Sequence, residues 1–231
     1  MKKVVILTGA GISAESGVPT FRDSDGLWEG HDVMEVASPQ GWAKNQELVL
    51  DFYNQRRRNI GTVQPNAAHI ALAKLEEKFD VTVITQNIDN LHERGGSGNV
   101  LHLHGEITKV SSCDYPDLVY DIGTKDICVG DTCERGSQLR PFVVWFGEPV
   151  PKIEEAMEIS AAADIFIVVG TSMAVYPAAG LIGYVPNEAR KFVIDRVTPS
   201  IGHYPNLEVL EGKASEKVPM LVKQLLAEER G

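Results

Sequence analysis

A short apolar run that passes straight into a glycine-rich turn constrains the fold of this chain more than any other feature. Residues 4–7 read Val-Val-Ile-Leu, a buried-strand pattern, and Gly9, Gly11 and Ala14 follow within seven positions. Glycines at such a turn let backbone N–H groups approach a diphosphate, and the start of the next helix adds a favourable dipole for an anion. The turn predicts phosphate binding, although similar turns also occur without a ligand.

Four further apolar runs have the same strand character. They are continuous rather than alternating, which is typical of strands buried on both faces of a parallel sheet, and they cover residues 81–85, 165–169, 192–194 and 207–210. Helical patterns separate several of them, at residues 66–79, at residues 153–163 and in a last helix that Ser215 would cap. This alternation predicts a Rossmann-like, doubly wound α/β fold.

Two segments interrupt the alternation and are predicted to be insertions. Residues 24–65 are polar and partly helical in pattern, and residues 106–139 contain all three cysteines. A chain of 231 residues suits one domain with an inserted lobe. We predict one catalytic domain over residues 1–231, with a large lobe of residues 1–23, 66–105 and 140–231 and a small lobe of residues 24–65 and 106–139. A cleft between the lobes is the expected active site.

The net charge and the number of cysteines limit the kinds of partner and the cellular compartment that we expect for this chain. The net charge of −10 argues against nucleic-acid phosphates as the main partner. No apolar run of about 18 residues occurs, so no membrane span is expected. Three cysteines give no disulfide framework, which favours a cytoplasmic location.

The cysteines do not form the usual pattern of a structural zinc site, which needs four ligands and commonly two CxxC pairs. Pro116 stands where Cys113 would need a partner, and Cys128 and Cys133 are too widely spaced. We therefore doubt that zinc is bound, assign no metal ligand, and favour ordinary small thiols.

Polar side chains follow the strand predicted at residues 81–85, in the order Gln86, Asn87, Ile88 and Asp89. At the carboxyl end of a strand, amides and a carboxylate suit the hydroxyls of a ribose and a carboxamide. The alternative is that Asn87 or Asp89 caps a helix.

Two histidines, His102 and His104, stand two positions apart. Strand alternation would place them on one face. With an ordinary pKa of about 6.5, one of them could act as a general base near neutral pH. A structural hydrogen-bonding role and a metal pair, which lacks an obvious third ligand, are the alternatives.

Tyr53 and Arg56 share one face of a predicted helix. Together they could hold a carboxylate, the guanidinium through a fork and the phenol through its hydroxyl. The alternative is a solvated basic stripe formed with Arg57 and Arg58.

Taken together, these residues resemble the sirtuin family of NAD-dependent protein-lysine deacylases. The resemblance spans nearly the whole chain, in family order, through GAGISAESGVPTFR at 9–22, TQNIDNLH at 85–92, LHGE at 103–106, PFVVWFGE at 141–148 and VVGTSMAVYPAA at 168–179. The Tyr53 and Arg56 pair resembles the signature of the class III, sirtuin-5-like branch, whose members favour acidic acyl groups.

The resemblance implies specific residues for each ligand. NAD, the co-substrate, would be bound by Gly9, Ala10, Gly11, Ser13, Glu15, Phe21, Arg22, Trp28, Gln86, Asn87, Ile88, Asp89, Gly170, Thr171, Ser172, Asp195 and Ala214. Acyl-lysine proteins or peptides would lie as an added strand and contact Tyr53, Arg56, Trp145, Phe146, Gly147, Glu148, Val175 and Tyr176. Asp195 stands where the family often has Asn, and its charge would oppose a 2′-phosphate, which favours NAD over NADP.

The implied mechanism assigns catalytic roles to His104 and Asn87. The acyl oxygen attacks the nicotinamide ribose, nicotinamide leaves, and neutral His104 acts as base, so that lysine and 2′-O-acyl-ADP-ribose are released. Activity should then rise through roughly pH 6–8. The expected substrates are succinyl-, malonyl- and acetyl-lysine. A mono-ADP-ribosyltransferase and a non-catalytic NAD-sensing module are the alternatives.

Overall fold

A computed structural model describes residues 1–19, 27–28, 30–171, 176–197 and 202–229. Its largest element is a six-stranded parallel sheet, whose strands are β1 (Lys3–Thr8), β4 (Asp80–Thr85), β5 (Val100–His102), β9 (Ile165–Val169), β10 (Arg190–Asp195) and β11 (Leu207–Glu211). Across the sheet they lie in the order β11-β10-β9-β1-β4-β5. The strand order reverses beside β1, which has β4 on one side and β9 on the other. Ligands bind at such a switch point in open α/β sheets.

Helices cover both faces of this sheet. They are α1 (Ala10–Ala14), α5 (Ala67–Lys74), α6 (Leu91–Arg94), α7 (Ile153–Ala161) and α8 (Ala214–Glu228), with 3-10 turns at Leu75–Glu77 and Ala178–Tyr184. Val4 and Ile6 of β1 pack in a core with α5 and α8, whereas Val5 and Leu7 pack in a second core with α7. Alternate side chains of one strand thus enter opposite cores, which explains why the strands are apolar without alternation. The predicted Rossmann-like, doubly wound fold is confirmed.

The prediction that Ser215 caps the last helix is wrong. Helix α8 begins at Ala214, its N-cap is Lys213, two residues before Ser215, and the cap makes no side-chain hydrogen bond. Ser215 instead donates through its hydroxyl to the carboxylate of Glu15, which also accepts the Ser215 backbone N–H. The first turn of a helix has unpaired N–H groups, and here a carboxylate distant in sequence satisfies one of them.

The two predicted insertions pack together. Their elements are β2 (Leu27–Trp28), β3 (His31–Asp32), α2 (Val33–Val36), α3 (Pro39–Lys44), α4 (Gln46–Thr62), β6 (Gly105–Ser112) and β7 (Val119–Asp121). They are joined by β8 (Leu139–Val143), which continues past the predicted limit at residue 139. Strands β7, β6 and β8 form an antiparallel sheet, and β2 pairs with β3. Phe52 and Ile60 of α4 share a core with Ile107 and Val143 of that sheet. The precise limits of the two lobes stay a prediction.

Arg57 ties α4 to the antiparallel sheet from inside the lobe. Its side chain is fully buried, and it donates to the Ile107 carbonyl at 2.8 Å and to Asn54 Oδ1 at 2.6 Å. Burial lowers the pKa of Arg57 to about 10, so the guanidinium stays charged at neutral pH. Its position excludes Arg57 from a solvated basic stripe.

Side-chain hydrogen bonds close the loop that carries Cys128 and Cys133. Gln138 accepts from the Gly130 N–H at 2.7 Å and donates to the Cys128 carbonyl at 3.0 Å. Asp131 accepts from the Cys128 N–H at 2.7 Å. Within the described part of the chain, no group of three or more His, Cys, Asp or Glu side chains could hold a metal ion.

Candidate functional site

A cavity of about 360 Å³ lies between the carboxyl ends of the parallel strands and the small antiparallel sheet. It brings together eighteen of the residues predicted from the sequence: Gly9, Ala10, Ser13, Trp28, Tyr53, Arg56, Gln86, Asn87, Ile88, Asp89, His104, Trp145, Phe146, Gly147, Glu148, Gly170, Thr171 and Tyr176. Residues distant in sequence therefore surround one space at the switch point of the sheet.

Several predicted residues do not line this cavity. Gly11, Glu15, Asp195 and Ala214 are absent from its walls, and their assignment to the co-substrate stays a prediction. Phe21, Arg22, Ser172 and Val175 lie outside the described residues.

The glycine turn after β1 interlocks with the turn after β9. Gly9 donates to the Val169 carbonyl at 3.1 Å, and Gly11 donates to the Gly170 carbonyl at 2.8 Å. A Cβ added at Gly11 would lie 2.7 Å from the Gly170 Cα, and Gly170 itself has a φ of +63°. This close approach requires glycine, and it leaves Gly9 and Ala10 on the cavity wall.

Asn87 and Gln86 are held by α1 and by the turns that follow β1 and β9. Asn87 Nδ2 donates to the Gly9 carbonyl and to Ser13 Oγ, both at 3.1 Å. Gln86 Nε2 donates to Thr171 Oγ1 at 3.1 Å. The alternative that Asn87 caps a helix is wrong, because the next helix, α6, begins at Leu91 and has Asn90 as its N-cap.

Asp89 combines a cavity position with a local backbone contact. Its Oδ1 accepts from the Leu91 N–H at 3.1 Å, at the first residue of α6. Burial raises the pKa of Asp89, against the opposing effects of that bond and of Ser13. The capping alternative therefore holds in part for Asp89, which lines the cavity as well.

The prediction that His102 and His104 share one strand face is wrong. Strand β5 ends at His102, and His104 lies in the bend before β6. His102 contacts the Asn87 carbonyl at 3.1 Å and Glu93 at 2.7 Å, away from the cavity. Burial disfavours charge on His102, but Glu93 outweighs it and the net pKa is raised.

His104 has the geometry of a general base. The half-buried imidazole lines the cavity, and its Nδ1 lies 2.9 Å from the Gln86 carbonyl. Because a carbonyl only accepts, Nδ1 carries the proton and the lone pair of the neutral ring is on Nε2. Burial lowers the pKa of His104, against the smaller effect of the Gln86 bond, so the ring is neutral at neutral pH.

A second histidine pair behind the cavity is not apparent from sequence patterns. The His69 and His92 rings lie 4.9 Å apart. His92 Nε2 is 2.9 Å from Thr8 Oγ1, and His69 Nε2 is 3.4 Å from Ser13 Oγ. Burial lowers the pKa of His69 to about 4 and that of His92 well below its usual value, so both rings are neutral. Only the fold brings them beneath Ser13.

Tyr53 and Arg56 lie at the end of the cavity formed by α4. Arg56 is 9% exposed, stacks over the Phe52 ring at 3.1 Å and donates to the Phe52 carbonyl at 2.7 Å. Tyr53 is fully buried and accepts from Trp145 Nε1 at 3.1 Å. The alternative of a solvated stripe is wrong for Arg56, whereas Arg58 forms a surface ion pair with Asp126.

The predicted peptide-binding edges include two exposed aromatic residues. Phe146 and Tyr176 are 45% and 76% exposed, respectively, and both border the cavity. Glu148 also borders it, but its carboxylate is paired with Arg140 and accepts from the Trp145 N–H. Glu148 therefore orders the loop between these residues.

No α-helix among the described residues is long and apolar enough to cross a membrane.

Ten further residues border the cavity, and most of them are apolar. Five lie within the family motifs but were not assigned to a ligand, namely Val18, Pro19, Val143, Val144 and Pro177. The other five lie outside the motifs, namely Ala37, Asn59, Ile60, Ile107 and Val150. No local signal distinguishes this second group from core residues, because their position depends on how the lobes pack.

Comparison with known proteins gives consistent matches along the chain. The model of the Sir2 family matches residues 9–177. A protein of Helicobacter pylori named NAD-dependent protein deacylase is 52% identical over 227 residues, which cover 98% of each chain. A protein of the same name from Bacteroides thetaiotaomicron is 51% identical over 231 residues, again 98% of each.

Solved structures of Sir2 proteins are also similar to this chain. A crystal structure of a Sir2 homologue in complex with NAD has a TM-score of 0.89 and 40% identity, covering 99% of this chain and 91% of that chain. A structure of Sir2 bound to an acetylated peptide has a TM-score of 0.79 and 29% identity, covering 96% and 92%.

Proposed function

Because the chain belongs to the Sir2 family, we propose that it is an NAD-dependent protein-lysine deacylase that transfers the acyl group to ADP-ribose. The observation that carries this proposal is the position of His104, which lines the same cavity as Asn87, Asp89 and the glycine turn. A base, an amide and a carboxylate at the carboxyl ends of parallel strands suit chemistry on the ribose of a bound nucleotide.

The residues present fit a dinucleotide. Gly9 and Ala10 begin α1 at the cavity wall without a bulky side chain. A Cβ at Gly9 would lie 2.8 Å from the Thr171 Cβ and 2.9 Å from the Gly170 carbonyl oxygen. Gln86, Thr171 and Asn87 supply amide and hydroxyl groups beside them. When bound, NAD supplies the ribose carbon that accepts the acyl oxygen while nicotinamide departs.

The side chains of this chain orient the reactants and move a proton. His104 keeps one proton on Nδ1 through the Gln86 carbonyl and accepts the proton of a ribose hydroxyl at Nε2. Asn87 commits its Nδ2 protons to Gly9 and Ser13, so that Oδ1 is its group for accepting from a ligand. This preorganisation fixes the reacting groups before the substrate arrives.

The acyl substrate is proposed to carry a terminal carboxylate, as in succinyl- or malonyl-lysine, with acetyl-lysine as a slower substrate. Arg56 and Tyr53 face the same cavity as His104, and a guanidinium with a phenol suits a carboxylate. The partners are then acyl-lysine proteins in the cytoplasm. The net charge of −10 opposes nucleic acid as a partner, and no membrane partner is proposed.

A panel of acylated peptides with NAD tests the activity. We expect nicotinamide release that depends on acyl peptide, with 2′-O-acyl-ADP-ribose found by mass spectrometry. ADP-ribosylated protein as the product would instead support a mono-ADP-ribosyltransferase. Binding of NAD without nicotinamide release would support a sensing module.

Arg56→Met tests the acyl preference. We expect the ratio of kcat/KM for succinyl- over acetyl-lysine to fall at least tenfold, because an ion pair in a buried site is lost. Arg58→Met is the matched control, since Arg58 lies two positions along the same helix in a surface pair with Asp126. A ratio unchanged by Arg56→Met would refute the acid-reading role.

A further inference from the structure

Trp145 makes a hydrogen bond whose direction is fixed by chemistry. Its indole Nε1 lies 3.1 Å from the phenolic oxygen of Tyr53, and both side chains are buried, at 2% and 0% exposure. An indole N–H can only donate. The Tyr53 oxygen is therefore the acceptor of this bond.

The phenol has only one proton, which must be directed to another acceptor. Tyr53, Trp145 and Arg56 border the same cavity. We propose that Trp145 is a positioning residue for acyl selection: its N–H occupies the Tyr53 oxygen and commits the phenolic proton to an acceptor at the end of the acyl chain. This inference rests on the proposed deacylase function.

A chain of contacts through Arg140 and Glu148 restrains both the indole ring and the backbone of Trp145. The Arg140 guanidinium lies 3.5 Å from the centre of the Trp145 ring. Arg140 is bound by both carboxylate oxygens of Glu148, at 2.8 and 3.1 Å. Glu148 also accepts from the Trp145 backbone N–H at 2.7 Å. These bonds restrain the loop and the ring together, so the direction of the indole N–H is set before a substrate binds.

The fixed direction of the Tyr53 phenolic proton predicts an order of kcat/KM among acyl groups. A terminal carboxylate only accepts and thus matches both Tyr53 and the positive charge of Arg56. A terminal carboxamide can accept through its oxygen but brings no charge. A terminal methyl leaves the phenolic proton without a partner in a buried site, which carries a desolvation cost. We expect kcat/KM to fall from succinyl to succinamoyl to butyryl, three chains of four carbons each.

Two changes remove the indole N–H with little change of shape. Trp145→Phe keeps a ring beneath Arg140, and 3-benzothienylalanine incorporated at position 145 replaces only the N–H, by sulfur. For both we expect the succinyl-to-butyryl ratio of kcat/KM to fall about fivefold, which corresponds to one hydrogen bond. The change should reside in the KM for the succinyl peptide, because the acyl terminus takes no part in bond making.

Trp42→Phe is the matched control. The Trp42 ring packs 5.6 Å from Trp145 and does not contact Tyr53 through its N–H, so the ratio should stay within about twofold. If Trp42→Phe lowers the succinyl-to-butyryl ratio of kcat/KM as much as Trp145→Phe does, the effect is a general loss of packing and the proposal is overturned.

A double-mutant cycle with Tyr53→Phe distinguishes failure of the positioning role of Trp145 from failure of the proposed preference for acidic acyl groups. If Trp145 acts through the phenol, Trp145→Phe changes the ratio by less than about twofold in the Tyr53→Phe background. An equal fall in both backgrounds would overturn the positioning role alone. A wild-type ratio near one would instead refute the acid-reading part of the proposed function, whatever Trp145 does.

Discussion

A half-buried imidazole titrates at a pH different from that of a solvated one, and the activity of His104 as a base makes this testable. Burial lowers its pKa from the ordinary value of about 6.5. The base must be neutral, so activity is full above the pKa and is lost as the pH falls through it. We expect the acid limb of kcat/KM to lie below about pH 6.5, which is lower than the range of roughly pH 6–8 expected for an unperturbed histidine.

His104→Ala should reduce deacylation by about 10²–10⁴-fold, and its remaining activity should lack the acid limb. Steady-state kinetics between about pH 5 and 9 measures both. A limb centred above pH 7, or one that persists in the alanine variant, would assign the titration to another group.

His69 is expected to make the protein sensitive to acid. Its pKa of about 4 when folded lies below the unfolded value of about 6.5. The unfolded chain therefore binds the proton first, and stability present above pH 6.5 is lost as the pH falls toward 4. The difference corresponds to about 3 kcal/mol of unfolding free energy.

Urea unfolding at pH 7 and pH 4.5 checks this expectation. In His69→Gln the unfolding free energy lost between pH 7 and pH 4.5 should be smaller than in the wild type by about 2–3 kcal/mol. The control is His203→Gln, because His203 is exposed and should leave the loss unchanged. Equal losses in all three proteins would contradict the role of His69.

Single residues were predictable where a motif fixes their neighbours. Asn87 and His104 could be singled out because they follow strands or turns with a recognisable pattern. The contacts of Glu15 with Ser215 and of His69 with Ser13 could not, because these partners lie 200 and 56 positions away. Such contacts depend on the packing of distant elements rather than on local pattern.

At the scale of elements, the bend between β5 and β6 places His104, and it depends on Gly105. Gly105 has a φ of +82°, and a Cβ there would lie 2.1 Å from the Phe142 carbonyl oxygen. Gly105→Ala combines left-handed backbone strain with a clash against the neighbouring strand. We expect the unfolding free energy to fall by about 2–5 kcal/mol.

Gly123→Ala isolates the backbone part of this cost. Gly123 also has a positive φ, of +58°, but its Cβ would meet nothing within 4 Å. We expect a loss of about 1–2 kcal/mol, measured by chemical denaturation beside Gly105→Ala. Equal losses in the two variants would show that the contact with Phe142 is relieved by a small shift.

Strands were easier to predict than the bends between them. Each of the five predicted strands exists, with ends extended by at most two residues. In the four inner strands, burial on both faces keeps the run apolar, whereas β11, at the edge of the sheet, has no buried residue. His102 and His104 show the opposite case. A bend of two residues interrupts the alternation, and nothing in Leu-His-Leu-His distinguishes it from a continuing strand.

For the whole molecule, the cavity depends on how the two insertions meet. Tyr53 comes from the first insertion and Ile107 from the second, and they share one core with Trp145. The sequence predicts that both segments are insertions, and the polar motifs predict most of the polar cavity residues. The apolar wall residues outside the motifs, such as Ile60 and Ile107, could not be predicted, because an apolar side chain gives the same local pattern whether it faces a core or a ligand.

The cysteine-bearing loop gives the last prediction, because hydrogen bonds of Gln138 join its two ends. Removing them by Gln138→Ala should lower the unfolding free energy by about 1–3 kcal/mol, whereas Cys128→Ser, at an exposed thiol, should change it little. If side chains rather than zinc order this loop, 1,10-phenanthroline leaves the Tm of the wild type unchanged, and elemental analysis finds much less than one zinc per chain. A stoichiometric zinc ion whose removal lowers the Tm would contradict this account and would require a ligand besides Cys113, Cys128 and Cys133.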